Sequence, residues 1–260
     1  MAMNNTNNLP DILGKKIFFL HPSAAVQNEI ITELVQQEYE VYIVKDQAAL
    51  IKVLKRYANA IVFADIDEGM GEKDWEAWIR GVLNNPETGQ VCVGVLSVNG
   101  DEVLRRKYIN SVKVQGGYTV LKADINSVIK QVADILKALD AKGRRKYIRA
   151  TTENESLTTV NLPVNGTFVN GTIKDISVVG FSCSFEVDPE LTKNALFQNI
   201  QIKLQTMLLK AEGIIFGSRM DGPAKIYVVL FTQRIDPDAR ARIRKYIQQN
   251  LQAKINVELK

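Results

Sequence analysis

With 260 residues, 46% of them hydrophobic and 24% charged, the chain has the composition of an ordinary globular protein, long enough for two medium-sized domains. No run of about 18 apolar residues is present to span a membrane. Two distant cysteines without a Cys-x-x-Cys and a single histidine, His21, exclude a disulfide framework and a zinc site, and fit a reducing cytoplasm. The net charge of +4 is uneven: residues 1–140 hold 15 basic against 18 acidic side chains, net −3, and residues 141–260 hold 18 against 11, net +7. The second part is therefore the anion-binding candidate.

Residues 1–14 are asparagine-rich, with neither a basic start nor an apolar core, and are predicted to be a disordered leader. Short apolar runs follow at 16–20, 41–44, 60–64, 91–97 and 118–121. Helical periodicity separates them at 24–37, 47–57, 73–83, 101–109 and 125–139. Five strands alternating with five helices predict a parallel sheet covered on both faces, over residues 15–140. Residues 141–149 form a basic linker. From 150 to 260 the rhythm changes to short strands broken at Asn165-Gly166, Asn170-Gly171, Glu212-Gly213 and Asp221-Gly222-Pro223, which predicts an antiparallel barrel. A last helix is expected over 238–251; its alternating arginines read as a solvated helix start.

Two short patterns carry the chemistry. Gly143-Arg-Arg-Lys-Tyr-Ile-Arg149 places Arg145 and Arg149 four apart, with Arg144 beside them, on a stretch not committed to a packed face. A guanidinium offers paired planar donors that match a phosphate or the O6/N7 edge of guanine. Downstream, Asp175-Ile-Ser177-Val-Val-Gly180 lies at the end of a strand-like run. Asp175 and Ser177 are two apart and leave the same face of a sheet; the carboxylate can accept from guanine N1 and N2, and the hydroxyl can donate or accept. Gly180 stands where a side chain would obstruct a turn or a close-lying ligand.

Order, spacing and strand context together resemble the PilZ domain, whose signature is RxxxR followed by [D/N]xSxxG and whose usual ligand is cyclic di-GMP. The resemblance covers about residues 143–250. It implies a small β-barrel in which Arg144, Arg145 and Arg149 wrap the phosphates and a guanine face, while Asp175, Ser177 and the Gly180 turn hold a guanine edge. One departure is the run Tyr227-Val-Val-Leu-Phe231, which lacks the glycine the family often carries before the closing phenylalanine.

Residues 15–140 resemble the receiver domain of response regulators, a flavodoxin-like fold. Asp65 stands at the phosphoacceptor position, Ser97 at the hydroxyl that contacts the phosphoryl group, and Lys122 at the conserved lysine. His21-Pro22 replaces the acidic pair of the metal site, and Ala123 replaces the proline after the lysine. One carboxylate with a neutral imidazole is a poor octahedral oxygen site for the Mg²⁺ that aspartyl phosphorylation needs. The domain therefore reads as a pseudo-receiver with a vestigial phosphoacceptor site and no metal, which docks a protein partner or the barrel.

The expected function is a non-enzymatic cyclic di-GMP-binding effector, cytoplasmic and without a cofactor, in which folding of 141–149 onto the ligand changes the interdomain arrangement or partner binding. The alternative is a PilZ-like interaction module that does not bind nucleotide. A nucleic-acid regulator is disfavoured, since no aromatic residues space a basic strand face for base stacking. No catalytic residues are assigned: there is no phosphate-binding Gly-rich loop, no nucleophile with a base and no acidic metal cluster.

Overall fold

The computed structural model describes residues 14–152 and 157–260. Apart from Gly14, the expected leader lies outside the described residues. Strands β1 (Ile17–Leu20), β2 (Val41–Val44), β3 (Ile61–Asp65), β4 (Cys92–Ser97) and β5 (Tyr118–Val120) form one parallel sheet in the order β2-β1-β3-β4-β5. This is the flavodoxin-like doubly wound order. Alternation along each strand feeds two cores. Phe18, Leu20, Tyr42, Val44, Val62 and Ala64 face α2 (Gln47–Arg56) and α3 (Glu72–Asn84). Ile17, Phe19, Val41, Ile61 and Phe63 face α5 (Ile125–Ala138) and the helical segment after β1. Both faces are covered, so the strands read as unbroken apolar runs rather than alternating ones.

Helix starts follow the expected chemistry. Asp46 accepts from Ala48 N and Ala49 N at the start of α2, and Asp124 accepts from Ser127 N at the start of α5. Two helices differ from the 3.6-residue expectation. The first runs through a π-helical stretch, Val26–Ile31, before α1 (Thr32–Gln36). The fourth, α4 (Glu102–Arg106), continues past Ile109 as a π-helical stretch, Lys107–Val112, that ends at left-handed Lys113.

The second sheet is antiparallel throughout. It consists of β6 (Ala150–Thr151), β7 (Thr158–Val164), β8 (Thr167–Ser177), β9 (Gly180–Phe185), β10 (Leu196–Leu204), β11 (Met207–Asp221) and β12 (Ala224–Phe231). The ring β8-β7-β10-β11-β12-β9 closes through β8 and β9, and β6 adds to β8 outside it. Asn165 and Gly166, both at positive φ (49° and 82°), make the β7–β8 turn, as Asn-Gly does in a two-residue hairpin. Gly222 (φ 56°) turns β11 into β12.

Two expected turns are instead strand interior. Asn170-Gly171 lies within β8 and Glu212-Gly213 within β11. A Cβ at Gly171 would sit 2.7 Å from the Phe185 ring, and one at Gly213 would sit 2.8 Å from Val229 Cγ1. Close approach of a neighbour, not a turn, requires glycine at both positions.

The chain divides into two compact units, Met1–Lys146 with Leu251–Lys260, and Tyr147–Asn250. The last helix, α6, spans Pro237–Glu258, seven residues beyond its expected end. Its first part buries Ile235 just before it, then Ala239, Ile243 and Tyr246, whose hydroxyl lies 3.5 Å from Thr158 Oγ1 in the barrel unit. Its last part belongs to the α/β unit and covers the free edge of β2. Gln252 Nε2 donates to Ile43 O (2.9 Å) and Gln252 Oε1 accepts from Ile43 N (2.8 Å), so one side-chain amide stands in for the missing neighbouring strand. Ile255 is buried in the core, and Tyr57 donates to Glu258 (3.1 Å). No described helix is long and apolar enough to cross a membrane.

Ile255→Ala is expected to cost about 2–4 kcal/mol by leaving a cavity in the core cluster it shares with Tyr42 and Val44. Both tryptophans, Trp75 and Trp78, lie in α3, so their fluorescence during urea unfolding reads this unit alone.

Candidate functional site

The site is built on β8. Ile173 and Ile176 are both fully buried and pair with Cys183 and Phe181 on β9, while Asp175 pairs with Ser182; Lys174 is the extra residue of a bulge. Three steps separate the two buried isoleucines, an odd number that a regular strand cannot accommodate on one face, and the bulge absorbs the surplus. On its other edge Asp175 pairs with Thr151 of β6, so the residue just before β6, Arg149, arrives beside it. Arg149 Nη1 donates to Asp175 Oδ1 at 3.2 Å, and Ser182 Oγ donates to Asp175 Oδ2. With the arginine side chain 46% exposed and the aspartate 21%, this ion pair is worth at most about 1 kcal/mol.

The other residues of the second pattern build the hairpin. Ser177 is buried; its hydroxyl donates to Gly180 O (3.1 Å) and accepts from Val179 N (3.4 Å), closing the β8–β9 turn. A Cβ on Gly180 would stand 2.2 Å from Val229 O of β12. The glycine is required by the neighbouring backbone.

Arg144 and Arg145 are exposed and have no hydrogen-bond or ion-pair partner among the described residues. The start of their segment is anchored. Lys15 N donates to Ala141 O (2.8 Å), Lys15 Nζ to Leu139 O (2.6 Å), and Lys142 Nζ sits 4.5 Å from the Tyr39 ring centre. The unpaired arginines begin just past this anchor.

Cross-strand register extends the site over the barrel exterior. Asp175, Ser182 and Val228 stand side by side on β8, β9 and β12, and Val228 pairs with Gly217 on β11 next to the bulged, exposed Phe216. The adjacent row runs Gly180, Leu230, Ile214 and Leu196, the last three exposed. A polar corner of one carboxylate and one guanidinium thus borders an apolar strip with glycines in it, the surface a flat heterocycle covers well. Ser182, Val228 and Phe216 were not singled out from the sequence. Counting outward from a two-residue turn between Ser177 and Gly180 does place Ser182 opposite Asp175, so that signal was present.

In the α/β unit, Asp65, Ser97 and Lys122 are not joined by any hydrogen bond. Asp65 is 1% exposed; Oδ2 accepts from Ser23 N (2.9 Å), Oδ1 has no partner among the described residues, and burial pushes the carboxyl above its usual range. Ser97 donates to Asp67 Oδ1 (2.8 Å) instead, and Lys122 is exposed and has no partner among the described residues. His21 is held by packing: its Nε2 lies 3.1 Å from Gln47 Oε1, and its ring meets the edge of Trp75 at 5.8 Å. Gly69, at φ 78°, lies so close that a Cβ would stand 2.7 Å from His21 Nδ1. Among the described residues no group of three or more His, Cys, Asp or Glu could hold a metal ion.

No protein-family model and no curated protein matches the chain. Solved structures resemble parts of it. The PilZ domain of Escherichia coli YcgR with c-di-GMP (cyclic di-GMP) is 14% identical over 44% of this chain and 96% of its own, at a TM-score of 0.37. K. pneumonia MrkH in complex with c-di-GMP is 21% identical over 45% of this chain and 57% of its own, at 0.39. The Mn(2+)-bound response regulator Rcp1 is 20% identical over 47% of this chain and 92% of its own, at 0.38. Each covers less than half of the chain. The strand orders themselves carry the architecture, a doubly wound parallel sheet and a closed antiparallel barrel, with a C-terminal helix.

Two outcomes follow from this geometry. Gly180→Ala is expected to cost about 1–3 kcal/mol or more in the barrel, with or without ligand. The reaction rate of buried Cys183 with a thiol reagent, in a Cys92→Ser background, measures it. Asp65→Asn is expected to raise the melting temperature at neutral pH. Because burial lifts the folded pKa above the unfolded value of about 4, the native state holds its proton more tightly. Wild-type stability therefore falls as pH rises through that window, and the advantage of asparagine fades as pH drops toward 4.

Proposed function

We propose that the chain is a cytoplasmic, non-enzymatic cyclic di-GMP-binding effector, whose ligand lies on the barrel exterior at Asp175 and Arg149. The observation that carries this is the weak, exposed Arg149–Asp175 pair, which joins the two halves of the signature at one point. Separating that pair costs at most about 1 kcal/mol, whereas each charge-assisted hydrogen bond gained is worth about 1.5–3 kcal/mol. Arg149 turns to phosphate, and Asp175 then accepts from guanine N1 and N2. Arg144 and Arg145, unpaired in the free protein, close over the phosphates, and the base lies on the strip of Val228 and Leu230. Four or five such bonds, less the cost of ordering the arginine segment, give a binding energy near −8 kcal/mol, on the order of micromolar affinity.

Residues 143–149 run from one compact unit to the other, so ordering them on a ligand transmits binding to the α/β unit. That unit acts as a docking scaffold for a protein partner: its Asp65 is buried, and neither Ser97 nor Lys122 is bonded to it.

One observation favours a second reading, a PilZ-like interaction module without nucleotide. Ser177 and Gly180 are both accounted for by the hairpin and its β12 neighbour, with no ligand needed. In that reading the strip of Leu196, Ile214 and Leu230 is a protein-docking face.

Calorimetric titration with cyclic di-GMP decides between them. Saturable binding in the micromolar range, absent with GMP and weakened at least about tenfold by Arg145→Ala or Asp175→Ala, is the expected result. Scattering profiles of free and ligand-saturated protein are expected to differ. No heat at high micromolar ligand overturns the nucleotide reading.

A further inference from the structure

We infer that Ser182, which lies outside both signature patterns, is the positioning residue that keeps the Asp175 carboxylate aimed at the guanine edge. This rests on the nucleotide reading above. In the free protein the two oxygens of Asp175 are held from opposite sides, Oδ1 by Arg149 across the β6 edge and Oδ2 by the Ser182 hydroxyl across the β9 edge. The two holders are unlike. Arg149 is long and exposed, and binding calls it away to phosphate. Ser182 is buried, short and fixed on the strand partner of Asp175, so its hydroxyl is the one restraint left when the arginine leaves.

That restraint matters because an aspartate on a strand rotates about two side-chain torsions, and guanine presents its N1–H and N2–H donors side by side in one plane. A carboxylate pinned through Oδ2 keeps Oδ1 directed outward and retains spare acceptor capacity on both oxygens. A carboxylate free to rotate meets the two donors in register only part of the time. Ser177, the serine of the signature, cannot serve here, since its hydroxyl is spent on Gly180 O. The effect belongs to base discrimination: a base with N1–H and no exocyclic amine gains little from the pinned orientation, and guanine gains most.

The test compares wild type, Ser182→Ala and Ser182→Thr in calorimetric titrations with cyclic di-GMP and with cyclic di-IMP, which lacks the 2-amino group. Thermal unfolding of each variant is recorded alongside. Wild type is expected to prefer cyclic di-GMP. Ser182→Ala is expected to weaken cyclic di-GMP about five- to tenfold and cyclic di-IMP less than about twofold, collapsing the preference, while Ser182→Thr restores it to within about twofold. Should alanine fail to fold, Ser182→Cys, with its weak S–H donor, is expected to show the same collapse. Equal loss of both ligands, or unchanged cyclic di-GMP binding by Ser182→Ala, overturns the inference and leaves the nucleotide reading standing. Absence of binding by wild type overturns both.

Discussion

Closure of the barrel through β8 is the constraint from which the candidate site follows. That strand must pair with β7 along its first half and with β9 along its second, and also receive β6. Its two inward isoleucines, Ile173 and Ile176, are three positions apart, so packing both into the core requires one surplus residue. The surplus, Lys174, bulges, and the strand beyond it is set so that Asp175 points outward between Thr151 and Ser182. The carboxylate is thus aimed by the demands of an apolar core. The arginine reaches it because β6, only two residues long, pairs at the same place.

The Asp-x-Ser-x-x-Gly pattern accordingly serves two purposes in adjacent residues. Ser177 and Gly180 make the hairpin: one ties the turn by its hydroxyl, the other lets β12 approach within a distance no side chain would permit. Asp175 is the residue left facing outward, with an exposed apolar strip at its side. Weak, exposed pairing lets such a corner exchange partners. A buried pair between the same groups would cost several kcal/mol to open, whereas an exposed one exchanges a partner at little cost.

The α/β unit shows the opposite use of similar groups. Its Asp65 is enclosed, held by Ser23 and left with one oxygen unpartnered among the described residues, and the His21 ring packs edge-on against Trp75. The far edge of the same sheet is closed by Gln252, whose amide matches the donor and acceptor of one strand residue, so β2 presents no free pairing groups at Ile43.

Much of this was legible in order and rhythm. Five apolar runs separated by helical periodicity were enough for a doubly wound sheet, because burial on both faces leaves that mark along the chain itself. The change of rhythm near residue 142 and the Asn165-Gly166 and Asp221-Gly222 turns were enough for antiparallel strands, since left-handed turn geometry selects residue type locally. The glycines at 171 and 213 misled for a physical reason: a glycine demanded by a turn and one demanded by a neighbouring side chain look alike until the neighbour is known. By itself the sequence determined the two architectures and singled out Arg144, Arg145, Arg149 and Asp175 as candidates for an anionic ligand. Only the tertiary structure decided that Asp175 is shared by Arg149 and Ser182, that Ser177 is consumed by its own turn and that Asp65 is enclosed. Each of those depends on strand register across the sheets, and register brings together groups that chain position keeps apart.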